Sequence, residues 1–138
     1  MSVRTAKAVW NGNLREGQGT MSFGTFEGAY TRASRFESGE GTNPEELLGA
    51  AHAGCFSMYL SLVLTKAGHP PKTITTTAQV HLGEGPRITL IELDTLADVP
   101  GVDDAQLQAA AEESKQKCPV SQALASTEIK LTARLASG

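Results

Sequence analysis

The chain has little charge and little cysteine. Lys and Arg number 12 and Asp and Glu 15, giving a net charge of -3 over 138 residues. No basic stripe runs along it, and its four Phe, two Tyr and one Trp are scattered. That excludes the electrostatic and stacking footprint of a nucleic-acid binder. Cys55 and Cys118 are the only cysteines, so the chain is no disulfide scaffold. His52, His69 and His81 make no ligand spacing with either cysteine, and a closed zinc site needs about four ligands, so no metal is expected. The opening stretch MSVRTAKAVWNGN lacks an apolar run behind its basic residues and does not read as a secretory leader. A cytoplasmic protein is expected. Repeats, low-complexity tracts and long linkers are also missing, so residues 1–138 are expected to form a single domain.

What is present is one long hydrophobic run. From Leu47 to Thr65 there are nineteen residues without formal charge. That approaches the roughly 20 residues needed to span a bilayer. Gly49, His52, Gly54, Ser57, Ser61 and several alanines make it a weak spanning segment, so a buried central helix is the reading and no membrane is expected. Asn43 can cap this helix, Pro44 suits its first position, and Glu45 and Glu46 suit the positive end of its dipole. Gly68, followed by Pro70 and Pro71, ends it.

Before the helix, short alternations broken by glycines predict strands at roughly 5–10, 18–25 and 28–36. After it, TITTTAQVHL puts Ile74, Thr76, Ala78, Val80 and Leu82 on one face, and IELDTLADV does the same with Ile91, Leu93, Thr95, Ala97 and Val99. Gly83, Glu84 and Gly85 form the turn of a hairpin. Asp103 or Asp104 can cap a helix running to about Lys117, Pro119 restarts a short helix through Leu124, and STEIKLTARL closes the chain as a strand. The predicted order is β-β-β-α-β-β-α-α-β, an α+β domain. The central helix would be about 36 Å long at about 1.5 Å per residue, with apolar residues all round. One sheet covers one side; a second copy of the chain is the simplest cover for the other, so a homodimer with paired central helices is expected.

The two cysteines admit several readings. Buried small hydrophobes are the plainest. A permanent bridge would contribute about 4 kcal/mol on the chain-entropy view, but a reducing cytosol disfavours it. Redox chemistry is the third. By local setting Cys118 is the more acidic thiol, since it stands before Pro119 at a helix start and near Lys115 and Lys117. Arg35 and Glu45 are the charged groups that could act on a thiol, although each alone reads as an ordinary strand-end charge or helix-dipole partner.

The stretch SRFESGEGTNPEELLGAAHAGCFSM, together with CPVSQAL, resembles the osmotically inducible protein C (OsmC) family, allied to the organic hydroperoxide resistance (Ohr) proteins. The resemblance spans nearly the whole chain, and the RFE stretch favours the OsmC branch. It implies a single OsmC-like domain, an intertwined homodimer and a cysteine-based peroxidase acting on organic hydroperoxides, with hydrogen peroxide a further candidate substrate. By the same resemblance Cys55 is the peroxidatic thiol and Cys118 the resolving thiol. Arg35 holds the Cys55 thiolate, Glu45 orients Arg35, and a lipoyl-bearing protein is the dithiol reductant. This reverses the local ranking of the cysteines, because a guanidinium in a dry pocket outweighs a helix end. The chemistry needs no cofactor: a thiolate takes one peroxide oxygen, and a second thiol condenses with the resulting sulfenic acid. The competing class is a stress-induced binding protein that keeps the fold and uses its thiols little or not at all.

Spacing adds one constraint. Glu45 and Cys55 are ten residues apart, hence about 15 Å along one helix and about 80° around it. In an antiparallel pair crossing near residue 50, where Gly49, Ala50, Ala51 and Ala53 allow close approach, Glu45 of one chain comes level with Cys55 of the other. Composite sites shared between two chains are expected. Arg35 bridging the gap within one chain is the alternative.

Overall fold

The computed structural model describes residues 2–136. The chain forms two compact units, Met1–Leu47 and Leu48–Gly138. In the first, β1 (Ala6–Asn11), β2 (Gln18–Phe23) and β3 (Phe26–Tyr30) make an antiparallel meander in the order β1-β2-β3. Phe23 pairs with Phe26 across a two-residue turn in which Gly24 takes φ +57°, a conformation that glycine adopts without strain. Gly19 lies where a Cβ would come within 2.5 Å of the Tyr30 ring and 2.8 Å of the Trp10 ring. The bare backbone there is what lets those two aromatics pack with centroids 5.4 Å apart.

The third predicted strand, 28–36, is corrected. Pairing stops at Tyr30, and Arg32–Phe36 form a short helix, α1. The reason is local. The Thr31 hydroxyl accepts from the Ser34 backbone N–H, and the Ser34 hydroxyl accepts from the Thr31 N–H, a reciprocal capping box that favours a helical turn over an extended chain. The order is therefore β-β-β-α-α-β-β-α-α-β, one helix more than predicted.

The central helix α2 (Pro44–Lys66) begins and ends on local signals. The Asn43 carboxamide oxygen accepts from the Glu46 N–H at 2.8 Å. At the far end Gly68 has φ +91°, the His69 N–H reaches the Leu64 carbonyl at 2.9 Å, and the Gly68 N–H reaches the Thr65 carbonyl at 3.0 Å. These paired bonds use carbonyls the last turn would otherwise leave open.

In the second unit β4 (Thr73–Gly83) pairs antiparallel with β5 (Arg87–Asp98), which pairs parallel with β6 (Glu128–Leu135). The register stacks the inward residues in rows: Val80 with Ile91 and Ile129, Ala78 with Leu93 and Leu131, Thr76 with Thr95 and Ala133, and Ile74 with Ala97 and Leu135. This face shares one core with Phe56, Leu60 and Leu64 of α2 and with Leu107, Ala110 and Ala111 of α3 (Asp104–Lys117). The α2 hydroxyl of Ser57 donates to Thr76 at 2.7 Å, and Thr76 lies 2.9 Å from Thr95, so the buried hydroxyls satisfy one another. A helical turn α4 (Pro119–Ala123) leads into β6.

The buried stripe of α2 is His52, Phe56, Leu60 and Leu64, spaced four apart. Its opposite side in this unit carries Ala51, Gly54, Met58 and Leu62, all exposed, Met58 to 77%. Length and composition alone would also let α2 cross a membrane. A stripe that carries a hydrogen-bonded histidine into a core shared with a sheet is what a core helix requires. Phe56→Ala should cost about 3–5 kcal/mol, because Phe56 is fully buried and its truncation leaves a cavity on top of the lost transfer energy. Urea unfolding measures this as a shift in ΔG at unchanged m. A loss below about 1 kcal/mol would place Phe56 outside the cooperative core.

Candidate active site

Each unit positions its candidate residues by local sequence. In the second unit α3 must stop at Cys118, because a residue before proline is disfavoured in the helical region. Cys118 is extended (φ -60°, ψ 135°) and closes α3 through its N–H to the Ser114 carbonyl at 3.0 Å. It also opens α4, where Pro119 takes the first helical position and the Cys118 sulfur accepts from the Ser121 N–H at 3.3 Å. A cysteine at such a break has a side chain aimed by two helices at once. Cys118 is fully buried, and both cysteines are free thiols.

Cys55, half-buried on α2, meets this break. The Val120 backbone N–H and the Cys118 thiol are near enough to its sulfur to act on its ionisation. Burial pushes the Cys55 thiol up, the Val120 N–H pulls it down, and Cys118 adds a further push up. The net direction is upward, so the environment within this unit favours the thiol form. The two predicted redox cysteines, 63 positions apart in sequence, are thus side by side.

Two residues that sequence reasoning did not assign to the site also stand there. The His52 Nε2 lies 2.7 Å from the Ser121 hydroxyl, and the Cys118 thiol donates to the same hydroxyl at 3.3 Å. His52 is fully buried, and Ser121 is 3% exposed. The signal was available as spacing, since His52 is three residues before Cys55 and Ser121 three after Cys118. Each is about one helical turn from its cysteine and so on the same face. Burial holds the His52 imidazole below its ordinary pKa of 6.5.

The first unit holds the other two predicted residues. Arg35 sits in the last turn of α1 and Glu45 in the first turn of α2. Asn43 fixes their approach: its amide nitrogen donates to the Ser34 carbonyl at 2.8 Å while its oxygen caps α2. The Arg35 Nε donates to the Glu45 Oε1 at 2.8 Å, and a terminal guanidinium nitrogen lies 2.8 Å from the same oxygen. The Glu45 carboxylate is buried, and its Oε2 has no hydrogen-bond partner. The guanidinium also lies 5.3 Å from the Phe36 ring centroid. Arg35 lines a cavity of about 270 Å³ with Trp10, Leu14, Tyr30, Phe36 and Pro44. Among the described residues no group of three or more His, Cys, Asp or Glu side chains is placed to hold a metal ion.

The second unit thus places one free thiol near another at a helix break, and the first unit pairs an exposed arginine with a buried glutamate. The model of the OsmC-like protein family matches residues 37–134. The peroxiredoxin OsmC of Escherichia coli K12 is 44% identical over 142 residues, covering 97% of each chain. An organic hydroperoxide resistance protein of Xanthomonas axonopodis is 34% identical over 86 residues, covering 62% of this chain and 61% of that protein. The crystal structure of an OsmC-like protein from Mycoplasma pneumoniae superposes with a TM-score of 0.80 at 14% identity, covering 99% of each chain. The chain belongs to the OsmC-like family.

Proposed function

We propose that the protein is a thiol-dependent peroxidase that reduces organic hydroperoxides, and hydrogen peroxide as a second substrate, with Cys55 as attacking thiol and Cys118 as resolving thiol. The observation that carries the reading is the proximity of the two free thiols at the α3–α4 break. The names of its relatives, a peroxiredoxin and an organic hydroperoxide resistance protein, support it.

The Cys55 thiolate attacks one peroxide oxygen. The O–O bond breaks, an alcohol leaves carrying a proton, and Cys55 becomes a sulfenic acid. Cys118 then attacks the Cys55 sulfur, the S–O bond breaks, water leaves, and a disulfide joins the two residues within one chain. A dithiol, supplied by a lipoyl-bearing protein, restores both thiols by exchange.

Because burial raises the Cys55 pKa, its thiolate needs a cation. Arg35, held by Glu45, supplies that charge and donates hydrogen bonds to the oxyanion that develops on the leaving oxygen. The apolar walls of the cavity beside Arg35 suit the organic group of a hydroperoxide. The open stripe of Ala51, Gly54, Met58 and Leu62 supports a homodimer in which α2 packs on its symmetry mate. The protein acts in the cytoplasm, where dithiol reductants keep thiols reduced.

The test is intact-mass and peptide analysis of reduced protein before and after one equivalent of cumene hydroperoxide. The expected result is one Cys55–Cys118 bridge per chain, with continued peroxide consumption once a dithiol is added. Two unmodified thiols after exposure would remove the peroxidase reading.

A further inference from the structure

A histidine buried merely as core filler would have both ring nitrogens satisfied or neither engaged with the chemistry. His52 fits neither description. It is fully buried, its Nδ1 has no hydrogen-bond partner, and its Nε2 contacts a single group, the Ser121 hydroxyl at 2.7 Å. That hydroxyl is the one the Cys118 thiol donates to. A buried polar atom left unpaired costs stability, and a residue that keeps one beside a reactive sulfur calls for a reason.

We propose that His52 and Ser121 form a proton relay that serves Cys118 when the disulfide closes and again when it opens. The proposal rests on the peroxidase reading above and extends it. The donor order follows from the groups. A thiol donates to the serine oxygen, the serine proton points to Nε2, and a neutral imidazole with its proton on Nδ1 accepts it. The Ser121 N–H holds the sulfur from a second direction, so Sγ and Oγ keep their alignment.

In closure, the Cys118 sulfur forms a bond to the Cys55 sulfur while the Cys55 S–O bond breaks. The Cys118 proton passes to the Ser121 oxygen, and the Ser121 proton passes to Nε2. The departing hydroxide draws that proton back from Nε2 through the Ser121 hydroxyl and leaves as water. His52 returns to neutral, and the sum is sulfenic acid plus thiol giving disulfide plus water. In reduction, a thiolate of the external dithiol attacks the Cys55 sulfur. A mixed disulfide forms at Cys55 and Cys118 leaves as a thiolate. The dithiol's second thiol gives up its proton, which reaches Cys118 through His52 and Ser121. The resulting thiolate breaks the mixed disulfide, so that Cys55 leaves as a thiolate and the dithiol as its disulfide. Ser121 touches the reacting sulfur; His52 acts through Ser121 and is a positioning residue that also holds the proton. Burial keeps the imidazole neutral near neutral pH and therefore able to accept.

Gln at position 52 separates proton holding from packing, because its amide keeps a hydrogen bond to Ser121 but cannot take a proton. Reduced wild type, His52→Gln, Ser121→Ala and Ser121→Thr are each mixed with one equivalent of cumene hydroperoxide and quenched at intervals. Mass spectrometry then follows sulfenic acid formation and disulfide closure separately. The expected result is that the ratio of the closure rate to the oxidation rate falls about 100-fold in His52→Gln and in Ser121→Ala, the low end for general acid–base assistance. Ser121→Thr, which keeps a hydroxyl, should recover most of it. His52→Gln closing at the wild-type rate overturns the relay. Where His52→Gln does not fold, equal closure by Ser121→Ala and Ser121→Thr overturns it instead. A wild-type protein that forms no sulfenic acid removes the peroxidase reading, and the relay with it. Sulfenic acid that forms and closes normally in every variant removes the relay alone.

Discussion

Cys118→Ser should consume no more than about two equivalents of cumene hydroperoxide and then stop. Without the neighbouring thiol, the Cys55 sulfenic acid has no partner inside the unit with which to condense, and a second equivalent of peroxide should carry it to the sulfinic acid. Steady turnover with a dithiol should fall by a factor on the order of 1,000, because reduction then depends on an external thiol reaching a half-buried sulfur. Cys55→Ser should lose even the first equivalent, its activity dropping below about one thousandth of wild type, since a serine hydroxyl without a paired base is a far weaker nucleophile than a thiolate. The two variants separate attacker from resolver, which the proximity of the thiols alone does not. Sustained wild-type turnover by Cys118→Ser would show that Cys118 is not the resolver. A full first equivalent consumed by Cys55→Ser would reverse the two roles, as the local setting of Cys118 at its helix start would have it.

Mixing two inactive variants should restore activity. Glu45→Ala leaves Arg35 without the carboxylate that holds its Nε and a terminal nitrogen, and Cys55→Ser lacks the nucleophile. If Glu45 of one chain serves Cys55 of the other, a mixed dimer contains one wholly intact site and one doubly damaged site. In a random equal mixture half the dimers are mixed, so activity should recover to about a quarter of wild type. Recovery from near zero to a quarter is a large change that fold stability alone does not produce. Subunit exchange is verified separately with a mass tag on one variant. Proven exchange with no recovery would mean that each site is built from a single chain. The ten-residue spacing on one helix motivates the shared arrangement, and the open apolar stripe of α2 offers a surface for the pairing.

The elements that sequence alone determined are those whose signals are local. The bounds of α2 follow from the Asn43 cap, Pro44 and the left-handed Gly68, all within a turn of the helix end they set. The inward faces of β4 and β5 follow from strict alternation, and the break at Cys118 follows from Pro119. Arg35, Glu45, Cys55 and Cys118 were nominated as a set only through the family resemblance, whereas local reading ranked the two thiols in the opposite order. The helix α1 was missed because five residues hold too little periodicity to compete with an alternating pattern, and a capping box of Thr31 and Ser34 decided it. Tertiary structure decided what depends on distant partners. The parallel pairing of β6 with β5 needs a crossover that no local pattern encodes. The meeting of His52 with Ser121, 69 residues apart, needs α2 and α4 to share one core. A histidine's spacing can exclude it as a metal ligand. Only the fold shows which hydroxyl it faces, because a hydrogen bond is set by the position of both partners and the sequence states each one alone.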